Sequence, residues 1–310
     1  MQKRHFIGKP LIPWPKKIDH YKGDGNLAVI RNQVRSNMEV FTPENWTEFL
    51  GVLESVKQKY GKYSRQLDNG ETFEKECKIL FRGQADKGWK LSTTLERKTK
   101  EEIDVLRYMH LACSSVEEIE SFTERNWNVP DYPELENEVN SKQEAFRVVL
   151  PCYDYMVYLR HHGFPSPLLD WTESPFIAAF FAFSDALKSD PAIYCYVERY
   201  GPTKGGTGGE PRITVKGPFV RTHKRHYAQK AWYTISTKWH YQTEKHFFVP
   251  HESVFDLDYE NQDVLVKIEL PNSIRKMALN HMNEYNINPF TLFQSEDSLI
   301  KSIEMRKFDL

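Results

Sequence analysis

The sequence has few cysteines, no long apolar segment and no recognisable export signal. Its four cysteines are widely spaced and form no Cys-x-x-Cys pair, so neither a zinc site nor a disulfide scaffold is expected. The main apolar run, residues 176–183, is far shorter than the roughly 20 residues that cross a bilayer. No apolar segment follows Met1-Gln2-Lys3-Arg4. We therefore expect a cytoplasmic protein with reduced thiols, no membrane association and no bound metal.

The sequence also lacks a strong excess of charge, because its net charge is −1. This value gives no overall attraction to nucleic acid or to a membrane. The charges are uneven, however: residues 101–138 are acidic and residues 214–245 are basic. A solvated helix face explains either block, but aromatic residues within the basic block also suit a surface that holds phosphates and stacks bases. The candidate nucleic-acid-binding residues are Arg221, Lys224, Arg225, Lys230 and Trp232.

Patterns of apolar residues predict a single α+β domain. Short apolar runs containing Leu80, Ile193 and Val266 predict a small, mostly antiparallel sheet surrounded by helices. Residues 1–70 are expected to form an N-terminal arm and a helix packed on the core, and residues 71–310 the main domain.

Local signals also predict where several elements begin. Thr42 is predicted to cap the first helix. A helical insertion at residues 98–150 is predicted to contain helices at about 101–113, 116–126 and 136–150, and residues 89–97 are predicted to form a short strand and a turn.

The chain is organised around residues 168–183, which predict a strand edge, a sharp turn and a buried helix. Pro175 suits the first helical position, and Ser174 or Thr172 can cap the helix. The helix would fix Asp170, Trp171 and Thr172 at its start, a position that often carries binding chemistry. A capped core helix with a satisfied Asp explains the same residues equally well.

Arg82-Gly83-Gln84 directly follows a predicted buried strand. An Arg beside a Gly that permits close backbone approach is typical of a clamp for phosphate or carboxylate. A structural alternative is an ion pair between Arg82 and an internal acid such as Asp170. His161, in the last turn of another predicted helix, is a candidate base, although such a histidine is more often structural.

Three sequence blocks, in order, resemble the FRG domain family. The first is Phe81-Arg82-Gly83-Gln84, followed by Trp89-Lys90-Leu91 and Leu95-Glu96-Arg97. The second, residues 160–172, is similar to the family pattern Gln-His-Tyr-Gly-Leu-Pro-Thr-Arg-Leu-Leu-Asp-Trp-Thr. The third, residues 225–233, is similar to Arg-Ile-x-Ala-Gln-x-Gly-x-Phe, and Thr291-Leu292-Phe293 fits the closing element. The resemblance covers about residues 75–303. Arg160, Pro167 and Ala231 depart from the family's Gln, Arg and Gly.

The order of these motifs is also similar to that of ADP-ribosyltransferases. This second resemblance implies an ADP-ribosyltransferase-like core with NAD as substrate. It implies that Arg82 binds the pyrophosphate and that Thr172 hydrogen-bonds a ribose hydroxyl. Gln229 or a carboxylate would stabilise the developing positive charge, and His161 would act as a base on the acceptor. The implied catalytic residues are Arg82, His161, Asp170, Thr172 and Gln229, and the implied cofactor-binding residues are Arg82, Gly83, Gln84, Trp171 and Thr172. A Glu-x-Glu pair is missing.

Two functions are therefore predicted. The first is an NAD-dependent ADP-ribosyltransferase, a bacterial toxin or phage-defence effector that modifies nucleic acid or protein and has an antitoxin as candidate partner. The second is a non-catalytic module of a defence system that binds nucleic acid or a nucleotide.

Overall fold

The computed structural model describes residues 38–67, 69–186, 188–199, 207–218, 220–222, 225–257 and 262–309. Most of the predicted N-terminal arm and Lys224 lie outside these ranges. In the described part of the chain, no helix has the length and apolarity that a membrane span requires.

Ten strands are present in the described residues, and eight of them form one sheet. They are β1 (Met38–Phe41), β2 (Lys62–Gln66), β3 (Thr72–Glu76), β4 (Lys78–Gln84), β5 (Leu169–Thr172), β6 (Ala192–Glu198), β7 (Arg212–Lys216), β8 (Ala231–His240), β9 (Lys245–Phe248) and β10 (Val264–Glu269). The sheet order is β1-β10-β6-β4-β5-β8-β7, with β9 paired to the far end of β8, while β2 and β3 form a separate hairpin. Only the β1–β10 pair is parallel among these pairs.

Helices surround this sheet. They are α1 (Trp46–Tyr60), α2 (Thr94–Lys98), α3 (Val105–Cys113), α4 (Val116–Thr123), α5 (Tyr132–Lys142), α6 (Tyr153–His161), α7 (Pro175–Ser184), α8 (Arg225–Gln229), α9 (Glu252–Phe255), α10 (Arg275–Glu284), α11 (Pro289–Phe293) and α12 (Glu296–Glu304). Short 3-10 and π segments occupy Asn272–Ile274 and Met305–Asp309. One apolar cluster joins α1, α7 and α10 to one face of the sheet, and a second joins α3, α5 and α6 to β8.

The central helix α7 begins as its sequence predicts. The side-chain oxygen of Ser174 accepts a hydrogen bond from the backbone N–H of Ile177 at 3.3 Å, and Pro175 occupies the first turn, where a missing N–H costs nothing. Thr172 accepts from the backbone N–H of Ser174 at 3.1 Å, so it supports the turn without being the cap. The helix is buried because its sequence is apolar on almost every side.

The predicted α+β class is confirmed, and the three strands that contain Leu80, Ile193 and Val266 are neighbours in one mostly antiparallel sheet. That sheet is larger than expected. The predicted cap was wrong, because Asn45, three residues after Thr42, accepts from the backbone N–H of Glu48.

Some boundaries in the predicted insertion were also wrong. Its third helix is Tyr132–Lys142, since Asp131 caps it and Pro133 lies in its first turn. Residues 89–93 form no strand, and Thr93 caps the short helix α2.

Candidate functional site

A cleft of about 930 Å³ lies where β4 and β5 separate. These neighbouring strands share one registered pair, Phe81 with Thr172, in the described chain. Beyond that pair β4 continues to Gln84 along β6. The side chain of Arg82 bridges the two strands, because its Nη1 donates to the backbone oxygen of Asp170 at 2.8 Å.

The cleft brings together residues from all three sequence blocks. Its lining includes every residue predicted to be catalytic or cofactor-binding: Arg82, Gly83, Gln84, His161, Asp170, Trp171, Thr172 and Gln229. The basic lining residues are Arg82, Lys90, Arg97, Arg160 and Arg225, and the acidic ones are Asp170 and Asp185. An excess of basic groups inside a concave site attracts anions, since low-dielectric walls focus the field.

Asp170 is held between two arginines in this cleft. Arg160 donates from Nε to Oδ1 at 3.2 Å and from Nη2 to Oδ2, and Nη1 of Arg82 lies 3.9 Å from Oδ2. The side chains of Arg160 and Arg82 are largely buried, whereas that of Asp170 is 42% exposed. The structural alternative of an Arg82–Asp170 ion pair is therefore realised, and a stronger Arg160–Asp170 pair accompanies it.

Burial and charge act in opposite directions on these groups. Burial alone would raise the pKa of Asp170, but the charges of Arg160 and Arg82 outweigh it and hold that pKa below its ordinary value. Burial lowers the pKa of Arg82 to about 10, with Asp170 opposing the shift and Arg160 adding to it. All three groups are consequently charged at neutral pH.

Two of the predicted catalytic side chains make structural hydrogen bonds. The hydroxyl of Thr172 donates to the backbone oxygen of Gln229 at 2.7 Å, and Nε2 of Gln229 donates to the backbone oxygen of Leu292 at 3.1 Å. These bonds join β5, α8 and α11 around the cleft. Trp171 also has a structural bond, because its buried indole N–H donates to the hydroxyl of Thr234.

Gly83 allows a close backbone approach, and the neighbouring backbone is that of α7. A Cβ atom at this position would lie 1.9 Å from the carbonyl oxygen of Ala178 and 2.6 Å from the backbone nitrogen of Ala182. Only glycine fits there without displacing the helix. The glycine thus positions α7 against β4.

His161 lies at the end of α6 and contacts a buried polar group. Its Nε2 is 2.7 Å from the hydroxyl of Tyr233, which is also 3.4 Å from Nε2 of His226. Burial and the charge of Asp170 raise the pKa of Tyr233, so the phenol remains protonated. It can therefore donate to one imidazole while it accepts from the other.

The described candidate residues of the basic block lie in different surroundings. Arg225 lines the cleft and donates from Nη2 to the backbone oxygen of His161 at 3.4 Å. Arg221 and Lys230 are exposed and outside the cleft lining. Trp232 is 9% exposed; its N–H donates to Glu173 at 2.8 Å, and the ammonium of Lys78 lies 3.3 Å from its ring centroid. Trp232 is thus poorly placed to stack a base.

Several cleft residues were missed by sequence reasoning. Arg160 was noted only as a departure from the family pattern, and Trp89 and Arg97 only as parts of a motif. Tyr233 was noted only as the end of the third block, because an aromatic residue in a strand usually packs in the core. The described residues contain no group of three or more His, Cys, Asp or Glu side chains that could hold a metal ion.

The domain is α+β, with a cleft of mostly basic charge where β4 and β5 separate and a capped, buried helix beside it. The FRG domain family model matches residues 77–191, which contain β4, the helical insertion, α6, β5 and α7. The resemblance of the motifs to the FRG domain family is thus confirmed over residues 77–191. No curated protein and no solved structure gives a significant match to it.

Proposed function

We propose that the cleft binds NAD and that the protein transfers ADP-ribose from it to an acceptor. The observation that carries this proposal is that Arg82, from the first sequence block, and His161 and Asp170, from the second, line one cleft of about 930 Å³. Ligand pockets of roughly 300–1,000 Å³ enclose molecules of drug size and above. Arg82 and Arg97 supply charge for the pyrophosphate of NAD.

The chemistry requires a stabilised positive charge on the ribose. Cleavage of the nicotinamide–ribose bond passes through an oxocarbenium-like state, similar to that of glycoside hydrolysis. Asp170 is ionised and partly exposed to the cleft, so its carboxylate can face the ribose. His161 would accept the proton of the attacking acceptor group. Thr172 and Gln229 would contribute by fixing the walls of the cleft, because their polar groups already bind the backbone.

A second candidate function is a nucleotide-binding module without catalysis, and the surroundings of Asp170 favour it. Two arginines partly neutralise this carboxylate, which weakens the field that it can direct at a ribose cation. In this alternative the basic cleft would retain a nucleotide or a nucleic-acid end without breaking a bond.

The first test is incubation of the purified chain with NAD labelled in its ADP-ribose half, together with RNA, DNA or a protein mixture. Asp170→Asn is expected to lower transfer roughly 100-fold or more, as loss of a preorganised charge does in other sites. Arg97→Ala is expected to weaken NAD binding roughly 10- to 100-fold, since a charged hydrogen-bond donor is removed.

Arg107→Ala is the matched control, because Arg107 is exposed and lies on α3 in the insertion. It should bind and transfer like wild type. Binding of NAD without any transfer or hydrolysis would refute the enzyme and favour the binding module. Absence of NAD binding by calorimetry would refute the transferase, and the binding module would then stand only if the chain binds nucleic acid or another nucleotide.

A further inference from the structure

Trp89 is an exposed aromatic side chain on a well-fixed loop at the cleft. Its residue exposure is 58%, and it lines the cleft with Arg82 and Arg97. Single exposed aromatic residues are common on protein surfaces. Trp89 differs because it is part of a concave, positively charged site, where an indole face suits a flat, phosphate-bearing ligand.

The backbone around Trp89 is fixed by contacts on both sides. Its own N–H donates to the oxygen of Asp86 at 3.1 Å, and its oxygen accepts from the hydroxyl of Tyr194 at 3.1 Å. The N–H of Leu91 donates to the carboxylate of Glu252 at 2.9 Å. The indole is thus exposed although its backbone is anchored, so little ordering is needed when a ligand stacks on it.

Gln84 gives a second, independent indication of a ligand. This residue is 7% exposed and lines the same cleft. Its Nε2 donates to the backbone oxygen of Lys90 at 3.3 Å, which fixes the orientation of the amide. Its Oε1 is buried and has no hydrogen-bond partner among the residues that the structure describes. A buried acceptor of this kind is normally satisfied by a ligand N–H or by an ordered water.

We propose that Trp89 is the stacking platform for a planar heteroaromatic ring that carries an N–H donor, and that Gln84 recognises this donor directly or through water. Adenine and the carboxamide of nicotinamide share this chemistry. The phosphates of the same ligand would lie on Arg82 and Arg97. The inference rests on the proposed nucleotide binding, but it does not require transfer of ADP-ribose.

Calorimetric titration of the full chain tests the inference with five probes. They are NAD, AMP, nicotinamide mononucleotide, ribose 5-phosphate and a short single-stranded oligonucleotide. We expect AMP or the mononucleotide to bind more tightly than ribose 5-phosphate, and the tighter of the two identifies the ring that Trp89 contacts. For that ligand Trp89→Ala should weaken binding roughly 5- to 100-fold, and Gln84→Met roughly 2- to 10-fold.

Two further variants separate stacking from general effects. Trp89→Phe keeps a ring and should bind within about 3-fold of wild type, because any aromatic face can stack a base. Phe122→Ala removes an aromatic residue that is 90% exposed on α4, and it should change nothing. Unfolding curves of all variants verify that they are folded at the titration temperature.

The outcomes are distinguishable. Equal binding by wild type and Trp89→Ala, or no advantage of a base-bearing probe over ribose 5-phosphate, would overturn the inference. If the oligonucleotide is the only probe that binds, and its binding depends on Trp89, the inference is overturned in favour of a nucleic-acid strand as ligand. Failure of all five probes to bind would also overturn it. If NAD binds through Trp89 but no label is transferred, the transferase fails while the stacking platform stands.

Discussion

Removal of the Asp170 charge by Asp170→Asn is expected to lower the free energy of unfolding by about 2 kcal/mol. The carboxylate accepts two hydrogen bonds from Arg160, and charged hydrogen bonds contribute about 1.5–3 kcal/mol each. Two bonds at the lower end give about 3 kcal/mol, and screening of a side chain that is 42% exposed removes roughly a third. Asparagine keeps the shape but leaves the guanidinium groups of Arg82 and Arg160 without their counter-charge.

The assay is urea unfolding of a double-mutant cycle made from Asp170→Asn and Arg160→Gln. Arg160→Gln also removes the hydrogen bond from Nη1 to the hydroxyl of Thr94 at 3.2 Å, so its own effect should be larger. The cycle removes this contribution and isolates the pair. We expect a coupling energy of about 1.5–2 kcal/mol between the two positions, with unchanged slopes of the unfolding transition.

The control cycle uses an exposed pair, Glu101→Gln and Arg107→Gln. The side chain of Glu101 is 71% exposed and that of Arg107 is 55% exposed, and Nη2 of Arg107 lies 3.2 Å from Oε2 of Glu101. The coupling energy of this pair should therefore stay below about 0.5 kcal/mol. If the cleft pair couples no more strongly than this surface pair, Asp170 and Arg160 are not held together in solution. The assignment of Asp170 as a fixed carboxylate in the cleft would then be refuted.

Two further predictions concern stability. Gly83→Ala should lower the free energy of unfolding in urea by about 3 kcal/mol, because its Cβ would overlap the backbone of Ala178. The control Gly51→Ala lies in α1 with nothing within 4 Å of its Cβ, so it should raise that free energy by up to about 1 kcal/mol. Equal effects of the two substitutions would contradict this. The pKa of Asp170 is lowered in the folded state. The difference in unfolding free energy between wild type and Asp170→Asn should therefore be constant above about pH 5 and shrink below about pH 4. A difference that grows on acidification would contradict this prediction.

The secondary structure that lies near the cleft could be predicted because strong local signals agree there. Ser174 and Pro175 mark the start of α7, the strand around Ile193 is apolar over six residues, and the strand around Val266 begins with three apolar residues. The cap of α1 was assigned wrongly because Thr42 and Asn45 are both good capping residues, and Pro43 directly after Thr42 is typical of a first helical position. The choice between them depends on the backbone geometry at Asn45, which is extended.

The residues predicted to be catalytic or cofactor-binding all line one cleft, but their contacts could not be predicted. Arg82, Asp170 and Gln229 stand far apart in sequence, and their meeting follows from the sheet order, which places β4 next to β5 and β5 next to β8. Local patterns carry no information on such pairings. For the same reason the sequence could not show that the hydroxyl of Thr172 binds the backbone of Gln229, or that Trp232 is covered by Lys78.

Thr94 links the two regions in which the central motif departs from the family pattern. The family pattern has Gln and Arg where this chain has Arg160 and Pro167, so one arginine is kept within the motif but moves along it. The hydroxyl of Thr94 accepts from Nη1 of Arg160 at 3.2 Å and from the backbone N–H of Ser166 at 2.9 Å. The hydroxyl of Thr94 therefore connects Arg160 to Ser166, the residue before Pro167. A guanidinium from α6 thus lies beside Asp170 in this chain, although residue 167 is proline.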